Sequence, residues 1–347
     1  MSVVIVLITF LVTFLASLTA GLARESTSAV TDLPADHLAF SMPADGDAPE
    51  FTASRVAPDQ WERWAQVPGV ASADPLGVAT TRAEAGGTTA SVTALGVPDG
   101  TDLVPAGPGD VRPGTVVLTA GAAAALGAGE GDTVTLGGSE LTVAETVDAD
   151  QSFSHTPVVW TTLEDWQAVG ARGGPGTPVA TVVAMTTTDD ADDAALAAAD
   201  AELGTTTVTT ADARSAVPSF AGENTSLTTM QAFLLVISAL VVGAFFTVWT
   251  ISRSGDVAVL KALGAPTGYL LRDALGQAAV VLAGGVAVGT ALSVAGALLL
   301  PAAVPVVVTT ATTLVPAAGL VVLGLAGAAV SVARITRIDP HAALAAR

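Results

Sequence analysis

The residues with the most chemical reach stand at the edges of long apolar runs. Arg24 and Glu25 follow a charge-free run over 1–23, and Glu223 precedes a second run over 230–251, which Met230 and Gln231 open. An ionisable group at bilayer depth costs at least about 2.5–3.5 kcal/mol on insertion scales, so such groups are candidates for function by default. Phe14, Phe220 and Phe233, together with Phe10, are the aromatic residues nearest to them in sequence. If the first two helices meet their own copies across a dimer axis, these residues converge on one outer-leaflet cleft with an apolar wall. The plainer alternative makes Arg24 and Glu25 interface anchors and turns the Phe rings to lipid.

Other chemistries are poorly provided for. A nucleotide-binding phosphate loop ends in Gly-Lys-Ser/Thr. The single lysine, Lys261, lies in Leu-Lys-Ala-Leu instead. There is no cysteine for a thiolate site or a disulfide, and the three histidines, His37, His155 and His341, are far apart in sequence. No serine occupies a Gly-x-Ser-x-Gly elbow. His155 reads as a surface histidine rather than a catalytic base. The expectation is a chain with no intrinsic enzyme, no resident metal and no intrinsic cofactor. The formal net charge of −19 is unsuited to nucleic acid.

The elements that must position these residues follow from hydropathy. Four charge-free stretches, 1–23, 230–251, 274–306 and 307–333, each match the roughly 20 residues that cross a hydrocarbon core. Pro301 and Pro305 mark a short loop between the last two. The fold class expected is an integral α-helical membrane protein with four transmembrane helices. A mixed α/β extracytoplasmic domain is inserted between helices one and two. The divisions are a helix at 1–23, the outer domain at 24–229 and a helix at 230–251. A cytoplasmic loop follows at 252–273, then a helix at 274–300, an outer loop at 301–312, a helix at 313–333 and a tail at 334–347. Gly285 and Gly289 form a Gly-x-x-x-Gly pair suited to close helix packing.

Charge sets the orientation. Loop 252–273 and tail 334–347 hold six basic against three acidic residues, whereas 24–229 holds seven basic against 29 acidic. Short segments dense in Lys/Arg face the cytoplasm, so both termini are expected inside and the acidic domain outside. The first run has no basic residue before it and no clean cleavage site after it, so it reads as a retained helix rather than a signal peptide.

Within the outer domain, local signals predict short strands and helices. Strands are expected over 70–80, 88–97, 115–118, 158–161 and 179–186, and 205–209 closes the domain. Helices are expected over 61–66, 120–126 (stopped by Gly127), 163–169 and 189–203. A hairpin is expected around Gly137-Gly138, and a loop over 173–178.

The loop at 252–273 reads either as a passive, positively charged anchor or as a short amphipathic helix that enters a partner's groove. Its sequence, Arg253-Ser-Gly-Asp256-Val-Ala-Val-Leu260-Lys261-Ala-Leu-Gly264-Ala265, resembles the loop after the second helix of FtsX/MacB-type ABC transporter permeases. The ending Asp339-Pro-His-Ala-Ala-Leu344 is similar to that family's C-terminus. The strand, Ala-rich helix and Gly-Asp-Thr-Val hairpin over 116–147 are similar to its outer domain. The resemblance implies a homodimeric permease in the plasma membrane, served by two copies of a cytoplasmic ABC ATPase that carry ATP and Mg. It places ATPase coupling at Arg253, Asp256, Leu260, Lys261, Gly264 and Ala265. Stretches Gly21–Val30, Leu33–Asp36, Pro218–Gly222 and Met230–Gly243 resemble the heme-efflux, HrtB-type branch. That likeness implies heme as the exported substrate, with Glu25, Glu223 or Met230 as an axial ligand. The basic amphipathic segment that such proteins carry before the first helix is missing, either lying upstream of this start or trimmed from it. Other readings stay open: a lipid, lipoprotein, peptide or antibiotic exporter, a non-transporting transducer of cell-wall hydrolysis, or an anchored sensor without an ATPase.

Overall fold

The computed structural model describes residues 2–43, 47–104, 111–169, 179–253, 255, 259, 263–264, 266–301 and 304–335. It divides into two compact units, one of 1–22 with 225–347 and one of 23–224.

The first unit is a helical bundle. Four helices are long and apolar enough to cross a membrane: α1 (Ser2–Thr31), a helix over Pro218–Ser252, and two more over Thr267–Leu298 and Thr310–Ile335. Its core gathers Ile5, Val12, Val242, Phe246, Leu282, Val286 and Leu320. Without a hydrophobic drive between helices in lipid, association rests on close packing of small residues. A Cβ at Gly289 would stand 2.6 Å from the Thr9 Cβ and 2.7 Å from the Val6 carbonyl oxygen, and one at Gly285 would stand 2.7 Å from Ile5. The Gly-x-x-x-Gly pair is therefore the seat of α1. Thr19 and Gln231 add a side-chain hydrogen bond of 2.8 Å between the first two helices.

The second unit is the mixed α/β domain. Its elements begin with the last turns of α1. They continue as β1 (His37–Ser41), α2 (Pro58–Trp64), β2 (Val70–Ala85), β3 (Thr88–Val97), β4 (Thr115–Thr119), α3 (Ala120–Leu126), β5 (Thr133–Leu136) and β6 (Ser139–Val147). Then come β7 (Ser152–Phe153), β8 (Thr156–Thr162), α4 (Leu163–Ala168), β9 (Val182–Thr187), α5 (Asp193–Leu203), β10 (Thr205–Thr209), α6 (Thr210–Ala213) and the start of α7 (Pro218–Ser252). Helix α8 (Thr267–Leu298) and α9 (Thr310–Ile335) complete the chain's described helices in the first unit.

Strand order is β10-β1-β9-β2-β3-β8-β4-β6-β5, with β7 on β8 and a further β2–β5 pairing that closes the second half on itself. The long β2 serves both halves. Its Val70–Leu76 stretch pairs with β9, and Gly77–Ala85 pairs with β3. At the crossover, Gly77 lies opposite Gly96, and the Trp166 ring lies across both. A Cβ at either glycine would come within 2.4 Å of Trp166. Three apolar cores pack against the sheet: Leu38, Phe40, Phe51, Leu76, Val97 and Trp160 lie in one, Val92, Val116, Leu118, Leu126, Leu136 and Val159 in another, and Val56, Trp64, Val183, Met185 and Leu196 in the third.

The locally signalled elements form where expected, for local reasons. Thr119 caps α3 by accepting from the Ala122 N–H, and Gly127 ends it at φ 62°. Gly137 and Gly138, at φ 55° and 98°, make the two-residue turn of the β5–β6 hairpin. Several bounds shift: α2 starts at Pro58, β2 runs on to Ala85, α5 starts at Asp193, and α8 starts at Thr267, inside the loop expected at 252–273. Two helices also lengthen. Helix α1 continues to Thr31 instead of ending near residue 23, and α7 starts at Pro218, twelve residues before its apolar run. Both extensions lie in the α/β unit up to residue 224 and bury Ala29, Val30 and Phe220 in its core. Their Ser/Thr-rich sequences have modest helix propensity, so tertiary packing supplies their stability. The loop expected at 173–178 lies outside the described residues.

Candidate functional site

The α/β unit brings Glu25 and Glu223 to one imidazole. Glu25 lies on the extension of α1 and Glu223 on the first turns of α7. His155 sits on the two-residue turn between β7 and β8. Its Nε2 lies 3.0 Å from Glu223 Oε2 and 3.1 Å from Oε1, and its Nδ1 lies 3.6 Å from Glu25 Oε2. The three side chains are each between a third and a half exposed.

The turn that presents His155 is held by the two helices. Ser154 and His155 have φ of 50° and 61°, the left-handed region in which bulkier residues are strained. A two-residue hairpin of this twist favours Asn-Gly or Gly-Gly. Here the conformation is stabilised from outside. The Ser154 and His155 amides donate to the Ser26 and Glu25 carbonyls at 2.9 and 3.2 Å. The Ser152 amide donates to Ser28 Oγ at 2.8 Å. Ser154 and Ser219 hydroxyls meet at 3.0 Å, and Ser219 donates to Ser26 Oγ at 3.3 Å. Three sequence-distant segments are thus tied by serines around one histidine.

Ser26 Oγ also lies 2.9 Å from His155 Nε2, so Ser26, His155 and Glu25 repeat the connectivity of a nucleophile, base and acid. Ser26 is completely buried, and the same Nε2 is shared with Glu223. A substrate carbonyl cannot reach that hydroxyl, so the contact braces the turn and is not set up for acyl transfer. Among the described residues no group of His, Cys, Asp and Glu has the arrangement of a closed metal site.

The other expected site residues are placed differently. Arg24, inside α1, pairs at 3.0 Å with Asp32 just past the helix end, an exposed contact. Phe220 is 7% exposed and packed in the domain core, with the Arg214 guanidinium 5.6 Å over its ring. Phe14, Met230 and Phe233 belong to the helical unit. Phe14 stacks on Phe10 with centroids 5.7 Å apart, while Met230 and Phe233 are more than half exposed on α7. Of the expected coupling residues, Arg253 donates to Gln277 Oε1 and lies 4.9 Å over the Trp249 ring. Gly264 has φ 94°, a conformation that only glycine adopts without strain. Asp256, Leu260, Lys261 and Ala265 lie outside the described residues.

The MacB-like periplasmic core domain family matches residues 2–203, more than half the chain, and the FtsX-like permease C-terminal family matches 229–340. The chain belongs to the MacB/FtsX-type ABC transporter permeases. An uncharacterized ABC transporter permease of Mycobacterium tuberculosis H37Rv is 28% identical over 330 residues, covering 94% of this chain and 89% of the relative. A Staphylococcus epidermidis protein provisionally named hemin transport system permease protein HrtB is 30% identical over 141 residues. That match spans 41% of this chain and only 40% of the relative's length. The extracellular domain of the ABC-type transporter YknZ from Gram-positive bacteria aligns with 50% of this chain and 98% of its own, at 17% identity and a TM-score of 0.36.

Sequence reasoning missed His155. Its partners are 129 and 68 residues away. The one local signal was a polar Ser-His pair between Phe153 and Thr156, a turn inside otherwise strand-forming sequence.

Proposed function

We propose that this permease exports heme from the outer leaflet, as a homodimer driven by two copies of a cytoplasmic ATPase that bind ATP and Mg. The permease itself is not an enzyme. Both termini lie in the cytoplasm, on the side of the Arg/Lys-bearing loop and tail.

The observation that carries the reading is the Glu25–His155–Glu223 array. Heme iron takes an oxygen or nitrogen axial ligand. The array offers both on rigid supports, partly open to solvent, at the end of the domain where α1 and α7 enter it. In the substrate-free state His155 orients the two carboxylates; an incoming iron takes one of these donors in exchange. Support from likeness is limited to the stretch shared with the HrtB-named relative.

Coupling in this reading runs through the 252–273 segment, with Arg253, Asp256, Leu260, Lys261, Gly264 and Ala265 facing the ATPase. The test is ATP-dependent loss of heme from proteoliposomes holding the permease and its ATPase. Gly264→Leu, which forces a branched side chain onto a backbone at φ 94°, is expected to abolish transport while leaving heme binding intact. Undiminished transport in that variant removes the coupling assignment. A wild-type complex that hydrolyses ATP without moving heme removes the heme assignment and favours a lipid, peptide or cell-wall-directed role.

A further inference from the structure

The outer domain holds a second concavity, built from different elements. It has a volume of about 250 Å³ and lies against β2, β7, α4 and the segments before α2 and β9. Its floor and walls are Phe51, Phe153, Val78, Val179 and the face of Trp166. Phe51 and Phe153 meet edge to face at 5.3 Å, and both are almost fully buried, so this wall is rigid. Trp166 is fixed by the paired glycines Gly77 and Gly96, which leave room for no other atom beneath it.

Two residues that line this concavity have donors with no acceptor among the described residues. One is the Trp166 indole N–H, itself buried, in a residue only 4% exposed. Leaving such a group unpaired costs about 1–3 kcal/mol, so it calls for a specific explanation. Arg55 stands at the rim. Its backbone N–H is satisfied by Ser41 Oγ, and its guanidinium has no partner among the described residues. The nearby polar groups are occupied: Ser54 Oγ donates to the Thr181 carbonyl, and Thr181 Oγ bridges the Val78 backbone.

We infer that this concavity is a binding site for a small amphipathic carboxylate, with an apolar ring or branched chain against Phe51, Phe153 and Trp166 and the carboxylate on Arg55. An apolar wall with a few convergent polar groups is the usual make-up of small-ligand sites. The volume lies below the roughly 300–1,000 Å³ of sites for drug-sized molecules, so it admits a single ring and short chain, not a porphyrin. The site is therefore separate from the Glu25–His155–Glu223 array in residues and in ligand class.

The experiment is calorimetric titration of the full-length, detergent-purified permease with 3-phenylpropionate and, separately, its neutral counterpart 3-phenylpropan-1-ol. The carboxylate is expected to bind saturably and more tightly than the alcohol. Arg55→Gln, an exposed change, is expected to weaken the carboxylate about tenfold or more and to leave the alcohol unchanged, the signature of a lost charge-assisted hydrogen bond. Trp166→Phe keeps most of the packing and removes the N–H; it should weaken both ligands. Absence of saturable carboxylate binding, or equal carboxylate affinity in wild type and Arg55→Gln, overturns the assignment. Arg55→Gln decides even if Trp166→Phe proves unstable.

Discussion

The two units of this permease use polar residues in opposite ways. In the helical bundle, contacts are made by the absence of side chain: Gly285 and Gly289 admit α1, and a Cβ on Gly327 would come within 3.2 Å of the Gly243 Cα. In the outer domain, polar side chains from distant segments are locked together around His155 by serine hydroxyls and backbone amides. The difference follows from the solvent. Lipid offers no hydrophobic drive, so shape decides packing. An aqueous domain with an apolar core can hold a satisfied polar cluster at its surface, and such a cluster can bind.

That contrast can be broken at its strongest point first. Gly289→Leu drives a branched chain into the Thr9 Cβ and Val6 backbone and should cost at least the about 1–3 kcal/mol of ordinary overpacking, because backbone cannot yield. The expected result is loss of the folded permease in detergent, read by size-exclusion and thermal unfolding. A well-behaved variant would mean that α1 is not seated on Gly289. Next, Gly77→Val in the outer domain meets the Trp166 ring at 2.4 Å. It should lower the domain's unfolding temperature by several degrees, at about 2–4 °C per kcal/mol for a domain of this size. An unchanged melting temperature would show that the ring can move, and would weaken the carboxylate site as well.

The smallest effect concerns Asp74. Burial, followed by the nearby Asp102 charge, raises its carboxyl pKa above the usual value. A raised folded-state pKa means the ionised group destabilises the fold at neutral pH, and stability is recovered as pH falls through that pKa. Asp74→Asn is expected to raise the unfolding temperature slightly at pH 7 and to lose that advantage in acid. A variant less stable at pH 7 would contradict the sign.

Much of this fold is legible in sequence wherever the determinants are local. The four spans follow from run length. The β4–α3–β5–β6 stretch follows from Thr119, Gly127 and the Gly137-Gly138 turn, each acting within a few residues. Strand β1 was not legible, because it is fixed by pairing with β9 and β10, more than 140 residues away. The helical extensions at Ala23–Thr31 and from Pro218 were also hidden. Their polar sequences do not repeat like a helix face, and what holds them is the core around Ala29, Val30 and Phe220. The candidate site was half legible. Glu25 and Glu223 stand out by position at the ends of apolar runs, but the side chain that unites them sits on a strained turn that only tertiary contacts can sustain. Phe220, an aromatic near a membrane run, packs in the core of the α/β unit, a contact its local sequence does not signal.

The most direct test of the central claim is a heme titration of the purified permease, followed by its absorption band, in wild type, Glu25→Ala and His155→Ala. The account predicts a saturable, ligated spectrum in wild type, a weakened one in both variants, and an altered band position in whichever variant removes the axial donor. No saturable binding, or identical spectra and affinities in all three proteins, would contradict it.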